Sequence, residues 1–242
     1  MRRLAQFALA GLVCLSTQAR ADLVTTAIDN ATIQPGGPRS GTNGKRFFNM
    51  EGSVNGSFAS YGVIDFKFAA APAQPAFTAL TLALFQSNAS FTANGGLNFY
   101  LDTNTTADIQ PGTSPLLYAG TGEGTSTNVA NGQLTLLSLG AGAFTQATNG
   151  AEDDFTFALS PSLAAILKTD VQNNAIVRLV VTPGTAGVAA TYAGATNTTP
   201  ERLTLTTAVT APPTATPEPA SIAILALGLA LLAPGLLASR RA

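Results

Sequence analysis

The chain has 242 residues, of which 10% are charged and 46% hydrophobic, with a formal net charge of −1. It contains no histidine and a single cysteine, Cys14, so the commonest general base and metal ligand is missing, and Ser-His-Asp and Cys-His catalysis are excluded. Between Asp22 and Thr216 seven basic residues stand against twelve acidic ones, a balance of −5 that repels nucleic acid.

At the start, Met1-Arg2-Arg3 supplies a positive region, Leu4 to Leu15 an apolar stretch too short to span a bilayer, and Ala19-Arg20-Ala21 a small-residue cleavage pattern. This order predicts a secretory signal peptide over 1–21, cut after Ala21. Val13 precedes Cys14 where lipoprotein processing wants a small residue, so Cys14 is read as part of the discarded apolar region. The exported remainder then has no cysteine for disulfides, thiol chemistry or thiolate-bound zinc. Its span over 22–210 suits one domain.

Within that domain, alternating polarity predicts short strands. Ser60 to Phe68 sets Gly62, Ile64, Phe66 and Phe68 on a buried face, with Tyr61, Val63, Asp65 and Lys67 opposite. Further strands are predicted over Thr78 to Phe85, Leu97 to Leu101, Gln133 to Leu139, Phe155 to Leu159, Ile176 to Val181 and Arg202 to Thr206. Five Asn-Gly pairs, at Asn43, Asn55, Asn94, Asn131 and Asn149, are the favoured chemistry of tight hairpin turns. One helix is predicted from Ser160-Pro161, a cap followed by a first-turn proline, to just before Asn173-Asn174. Many short strands with one helix favour an all-β two-sheet sandwich over a barrel or a βαβ fold.

After the domain, residues 211–219 read as a stiff proline-rich stalk ending in Pro217-Glu218-Pro219. The uncharged run from Ala220 to Ser239 comprises 20 residues, enough for a transmembrane helix at about 1.5 Å per residue. Arg240 and Arg241 form a basic tail over 240–242 that is retained in the cytoplasm, which places the domain across the membrane.

The Pro217-Glu218-Pro219 tripeptide, the single span and the Arg240-Arg241 tail, in that order, resemble the sorting signal of the PEP-CTERM family. The resemblance implies an exosortase partner, a membrane-embedded cysteine transpeptidase that cuts the chain here, in a Gram-negative bacterium with links to exopolysaccharide and biofilm. An ordinary tail anchor behind a proline-rich stalk is the competing reading. The order of Gly62 to Phe66, Leu80 to Leu84, Phe155 to Leu159, the helix, Val177 to Val181, Ala190 to Gly194 and Pro200 to Leu205 is similar to secreted jelly-roll modules, among them disaggregatase-related and carbohydrate-binding ones.

Candidate sites inside the domain are few. Asp102, Asn104 and Asp108 offer oxygens at spaced positions for Ca²⁺ but lack the glycine and terminal glutamate of the familiar loop, so a solvated turn is preferred. Glu152-Asp153-Asp154 is the one acidic cluster; adjacent strand positions point to opposite faces, which suits surface solubility better than an acid/base pair. Tyr61, Tyr100, Tyr118 and Tyr192 are candidate sugar-stacking platforms, with packing at the sheet surface the competing role. No catalytic residue, metal or cofactor is assigned. The expected function is that of a non-enzymatic envelope or extracellular-matrix protein with glycan binding as a refinement; a carboxylate-dependent polysaccharide hydrolase or lyase is the alternative.

Overall fold

The structure, a computed structural model, describes residues 22–69, 76–118 and 133–208. The signal peptide with Ala19 and Ala21, the stalk, Pro217-Glu218-Pro219, the 220–239 span and the Arg240-Arg241 tail lie outside the described residues. Among the described residues, no helix is long and apolar enough to cross a membrane.

Strands dominate. They are β1 (Leu23–Gln34), β2 (Gly37–Pro38), β3 (Phe47–Glu51), β4 (Tyr61–Lys67), β5 (Phe77–Phe85), β6 (Gly95–Asp102), β7 (Leu136–Phe144), β8 (Glu152–Ala158), β9 (Ile176–Pro183), β10 (Ala189–Ala193) and β11 (Arg202–Thr207). A five-residue helix α1 (Thr42–Arg46) precedes β3, and α2 (Pro161–Gln172) follows β8. Ser160 caps α2 by accepting the Leu163 N–H at 3.3 Å, with Pro161 in the first turn. The helix then lays Leu163, Leu167 and Val171, spaced by four, into the core.

Hydrogen bonds join the strands in the order β7-β6-β9-β4-β1-β11-β5-β8, with β2 beside β1, and β10 pairs β3 in a separate two-stranded ribbon. All pairings are antiparallel. The expected mostly β chain is therefore present, with the short α1 in addition to the one helix predicted, but the strands form one continuous sheet rather than two unconnected layers. The cause lies in β1. Its residues Leu23 to Thr26 pair with β11, a bulge falls between Ala27 and Asp29, and the rest of the strand runs along β4. A bulge adds bend and twist, so one long strand turns the corner between the two halves.

The halves face each other over a shared core. Phe99 on β6 packs on Phe155 and Phe157 of β8, with ring centroids 4.5 and 5.0 Å apart. The ends of the sheet, β7 and β8, nearly meet and give it a barrel-like closure. A Cβ on Gly142 would come within 2.7 Å of the Phe155 ring, and one on Gly140 within 2.9 Å of Phe157. Side-chain-free positions on β7 let the β8 aromatics close this seam.

A second apolar cluster lies on the opposite face of the sheet. Ala107, Ile109, Leu116 and Tyr118, from the segment after β6, cover Ile33, Tyr61, Val63, Tyr100 and Val180. Tyr61, Val63 and Asp65, assigned by alternation to the face away from the core, are therefore buried, while Lys67 remains exposed. Strand β4 is enclosed on both sides.

Several hairpin expectations need correction. Asn43-Gly44 lies in α1, Asn55-Gly56 in a 3₁₀ turn over Ser53–Phe58, and Asn94-Gly95 at the entry to β6. Asn149-Gly150 does form a turn, closed by the Ala151 N–H on the Thr148 carbonyl at 3.0 Å. The strands it joins, β7 and β8, do not pair with each other. Asn131-Gly132 lies outside the described residues.

Candidate functional site: a groove on the two-stranded ribbon

Alternation along the ribbon sorts its side chains. Phe48 and Met50 of β3, with Ala190 and Tyr192 of β10, enter the core. The intervening positions Asn49, Glu51 and Thr191 line a groove of about 430 Å³, within the ~300–1,000 Å³ range common for small-ligand sites. Asn49 and Thr191 are direct cross-strand partners, and the Asn49 amide donates to Thr191 Oγ1 at 3.1 Å and to Glu51 Oε1 at 3.2 Å. With both N–H groups engaged, the buried Asn49 Oδ1 has no hydrogen-bond partner among the described residues. Burial pushes the Glu51 carboxyl above its ordinary value, against the opposing pulls of the Asn49 hydrogen bond and the Arg39 guanidinium.

Two short turns complete the lining. Ser53–Phe58 is held to the ribbon by the Gly52 N–H on the Val188 carbonyl and by the Asn55 amide on the Gly52 and Val188 carbonyls. The 3₁₀ turn Ala89–Phe91 is tied to β10 through the reciprocal Ala93–Ala189 backbone pair and the Ser87 N–H on the Thr191 carbonyl. These turns carry Phe58 and Phe91, whose relative exposures are 59% and 75%. Arg39, Asn55 and Asn88 also line the groove.

Both turns have the same sequence pattern, Asn55-Gly56-Ser57-Phe58 and Asn88-Ala89-Ser90-Phe91. That Asn-X-Ser-Phe recurrence is the one mark the site leaves in the amino-acid sequence.

The sites expected from sequence sit elsewhere. All four tyrosines are buried, Tyr61 and Tyr192 completely and Tyr100 and Tyr118 to within a few per cent. They are core residues, not stacking platforms. Asp102 is buried rather than solvated, and its Oδ1 accepts the Asn104 and Thr135 N–H groups at 3.0 and 2.7 Å. Asp108 instead holds the Gln110 N–H and the Thr113 hydroxyl, and Asn104 Oδ1 takes the Thr106 hydroxyl. These oxygens act as local turn caps. Among the described residues no group of three acidic or other metal-ligating side chains converges on one point.

The acidic cluster is divided as strand geometry requires. Glu152 and Asp154 are exposed, and Glu152 pairs with Arg202. Asp153 turns the other way and accepts the Gln86 amide at 2.8 Å and the Tyr192 hydroxyl at 3.0 Å. It is a half-buried structural acceptor, not a solubility residue.

A more demanding polar network was not foreseen. Arg178 on β9 is the register partner of both Asp65 on β4 and Asp102 on β6. It donates bidentately to Asp65 at 2.7 and 2.9 Å and to the Ala107 carbonyl at 2.8 Å, with Asp102 Oδ2 at 4.0 Å. Burial lowers the Arg178 pKa, but the hydrogen bond and charge of Asp65 outweigh it and leave the guanidinium above its ordinary value. Burial raises the Asp102 carboxyl despite its backbone donors. The network fastens the covering segment to the sheet. No family model matches the sequence, and no curated protein matches it.

Proposed function

We infer that the protein is exported, cut near Pro217-Glu218-Pro219 by an exosortase-type membrane transpeptidase, and works without catalysis in the envelope or extracellular polysaccharide matrix of a Gram-negative bacterium. The observation that carries this reading is the terminal order of tripeptide, 20-residue uncharged run and double arginine. A cysteine-free β domain, whose order of strand segments resembles that of secreted jelly-roll modules, suits such a cargo. Its role there is to hold polysaccharide.

The hydrolase or lyase alternative asks for two carboxyl groups at a set separation across a bound sugar. The groove lining contains one, Glu51, while Glu152 is paired with Arg202 and Asp153 serves Gln86 and Tyr192. These engagements favour a binding role. Deleting the exosortase-type gene in the host is expected to leave the protein membrane-held and uncut. Unchanged release in that strain overturns the sorting assignment.

A further inference from the structure

We propose that the groove on the outer face of β3 and β10 is a binding site for a neutral saccharide, gripped between Phe58 and Phe91 and hydrogen-bonded to the Asn49-Thr191-Glu51 floor. This rests on the matrix reading and names the place and chemistry of the contact.

Three observations converge on it. First, the two turns repeat one pattern, and the asparagine and the phenylalanine of both copies line the same groove. A single exposed phenylalanine needs no explanation, but two held by backbone hydrogen bonds at a polar floor form a built feature. Phenyl faces offer flat apolar surfaces to the C–H faces of a sugar ring.

Second, Asn49 is 5% exposed, and its Oδ1 has no donor among the described residues. A buried acceptor left unmade is costly, and a small rotation of the amide toward the groove would let a ligand hydroxyl supply the missing donor. Asn49 already donates to Glu51 Oε1, which orients the carboxylate as a further acceptor beside it. Acceptor-rich floors select donors, and hydroxyls are the abundant donors of neutral sugars.

Third, the ribbon edges are occupied, so an extended peptide has no strand edge to join. On the β10 side, Gln86 bridges Tyr192 and Ala93 bridges Ala189; on the β3 side, Ser60 bridges Glu51, and the Asn49 N–H bonds Thr32 Oγ1. Recognition must therefore use side chains rather than strand addition. Charge argues against an acidic glycan, because among the described residues the groove's single guanidinium, Arg39, already acts on the carboxylate of Glu51 on a domain of negative balance.

Isothermal titration of the full chain in detergent tests this with five probes. They are hexasaccharides of glucose, mannose and galactose, the polysaccharide washed from host cells, and polygalacturonate. At least one neutral probe is expected to bind, and Phe58→Ala and Phe91→Ala are each expected to weaken it by about tenfold. Both rings are exposed, so the unfolding midpoint should not move with either substitution. Glycan binding that survives both substitutions puts the contact elsewhere, overturning the groove assignment while the matrix reading stands. Binding of polygalacturonate alone overturns the neutral class. Binding of no probe overturns the site outright, whereas the sorting half of the reading is judged separately by processing in the host.

Discussion

Replacing Arg178 by methionine is expected to cost about 3–5 kcal/mol of stability, the range for breaking one partner out of a buried ion pair. The side chain fills similar space, so the loss is electrostatic rather than a cavity. Asp65 forfeits both of its guanidinium hydrogen bonds, Asp102 its nearest cation, and the Ala107 carbonyl its donor. Against typical domain stabilities of about 5–15 kcal/mol this is a large fraction. The damage should be local as well as global. The segment after β6 is fastened to the sheet by Ala107, Ile109, Leu116 and Tyr118 packing, and Arg178 supplies its polar anchor. Urea unfolding should show the lower midpoint, and hydrogen exchange should show residues 103–118 losing protection ahead of the β5 core. Arg178→Lys keeps the charge without the fork and should fall between the two. A triple replacement, Asp65→Leu with Arg178→Met and Asp102→Asn, should recover part of the loss, because none of the three positions then carries a charge while the amide oxygen introduced at position 102 still accepts the Asn104 and Thr135 N–H groups.

Glu201 supplies the second large effect, and it depends on pH. The residue continues the inward series of Leu203 and Leu205 on β11, is fully buried, and neither of its carboxyl oxygens has a hydrogen-bond partner among the described residues. Burial pushes its pKa from the ordinary 4.5 to about 8. Below the unfolded value both states hold the proton, and the contribution of the neutral group is fully present. Between that value and about 8 only the unfolded chain releases the proton, so stability falls as pH rises. Above it the loss is complete, on the order of several kcal/mol. Glu201→Gln keeps the shape and removes the titration. Urea midpoints should rise for the variant at pH 8, stay near the parent at pH 4, and show a flatter decline between them. Some slope should persist in the variant, since burial also raises Glu51, Asp102 and Asp170, with the same sign.

Much of the fold was legible wherever one rule governed a segment. Strands β4, β5, β6, β9 and β11 stand out as short apolar segments, with burial alternating cleanly along β11, and α2 announces itself through Ser160-Pro161 and apolar spacing of four. Strand β1 was not legible, although it is the longest, because the bulge after Ala27 switches which positions point inward. The period-two signal breaks in mid-strand. The same bulge explains why two facing halves emerge as one hydrogen-bonded sheet. The outward face of β4 looked polar because Asp65 is charged, but charge there marks a partner in Arg178 rather than water. Such a pairing joins residues 113 positions apart and leaves no local trace.

The candidate site was legible only in its components. Tyrosines attract attention as amphipathic rings, yet all four serve the two cores. Phe58 and Phe91 look like ordinary hydrophobic residues in the sequence, and only the fold shows that neither is buried. Their shared Asn-X-Ser-Phe turns were visible as repeated text. That the two copies meet over β3 and β10 follows from pairing between distant strands, Asn49 with Thr191, that no window of sequence contains.

The proposed delivery of this domain by removal of both ends of its chain is decided by the intact mass of the protein recovered from host cells. The expected species begins at Asp22 and ends near Pro217-Glu218-Pro219, without the 220–239 run. A cell-derived mass that still includes Ala220 through Ala242 would contradict it and establish the plain tail anchor instead.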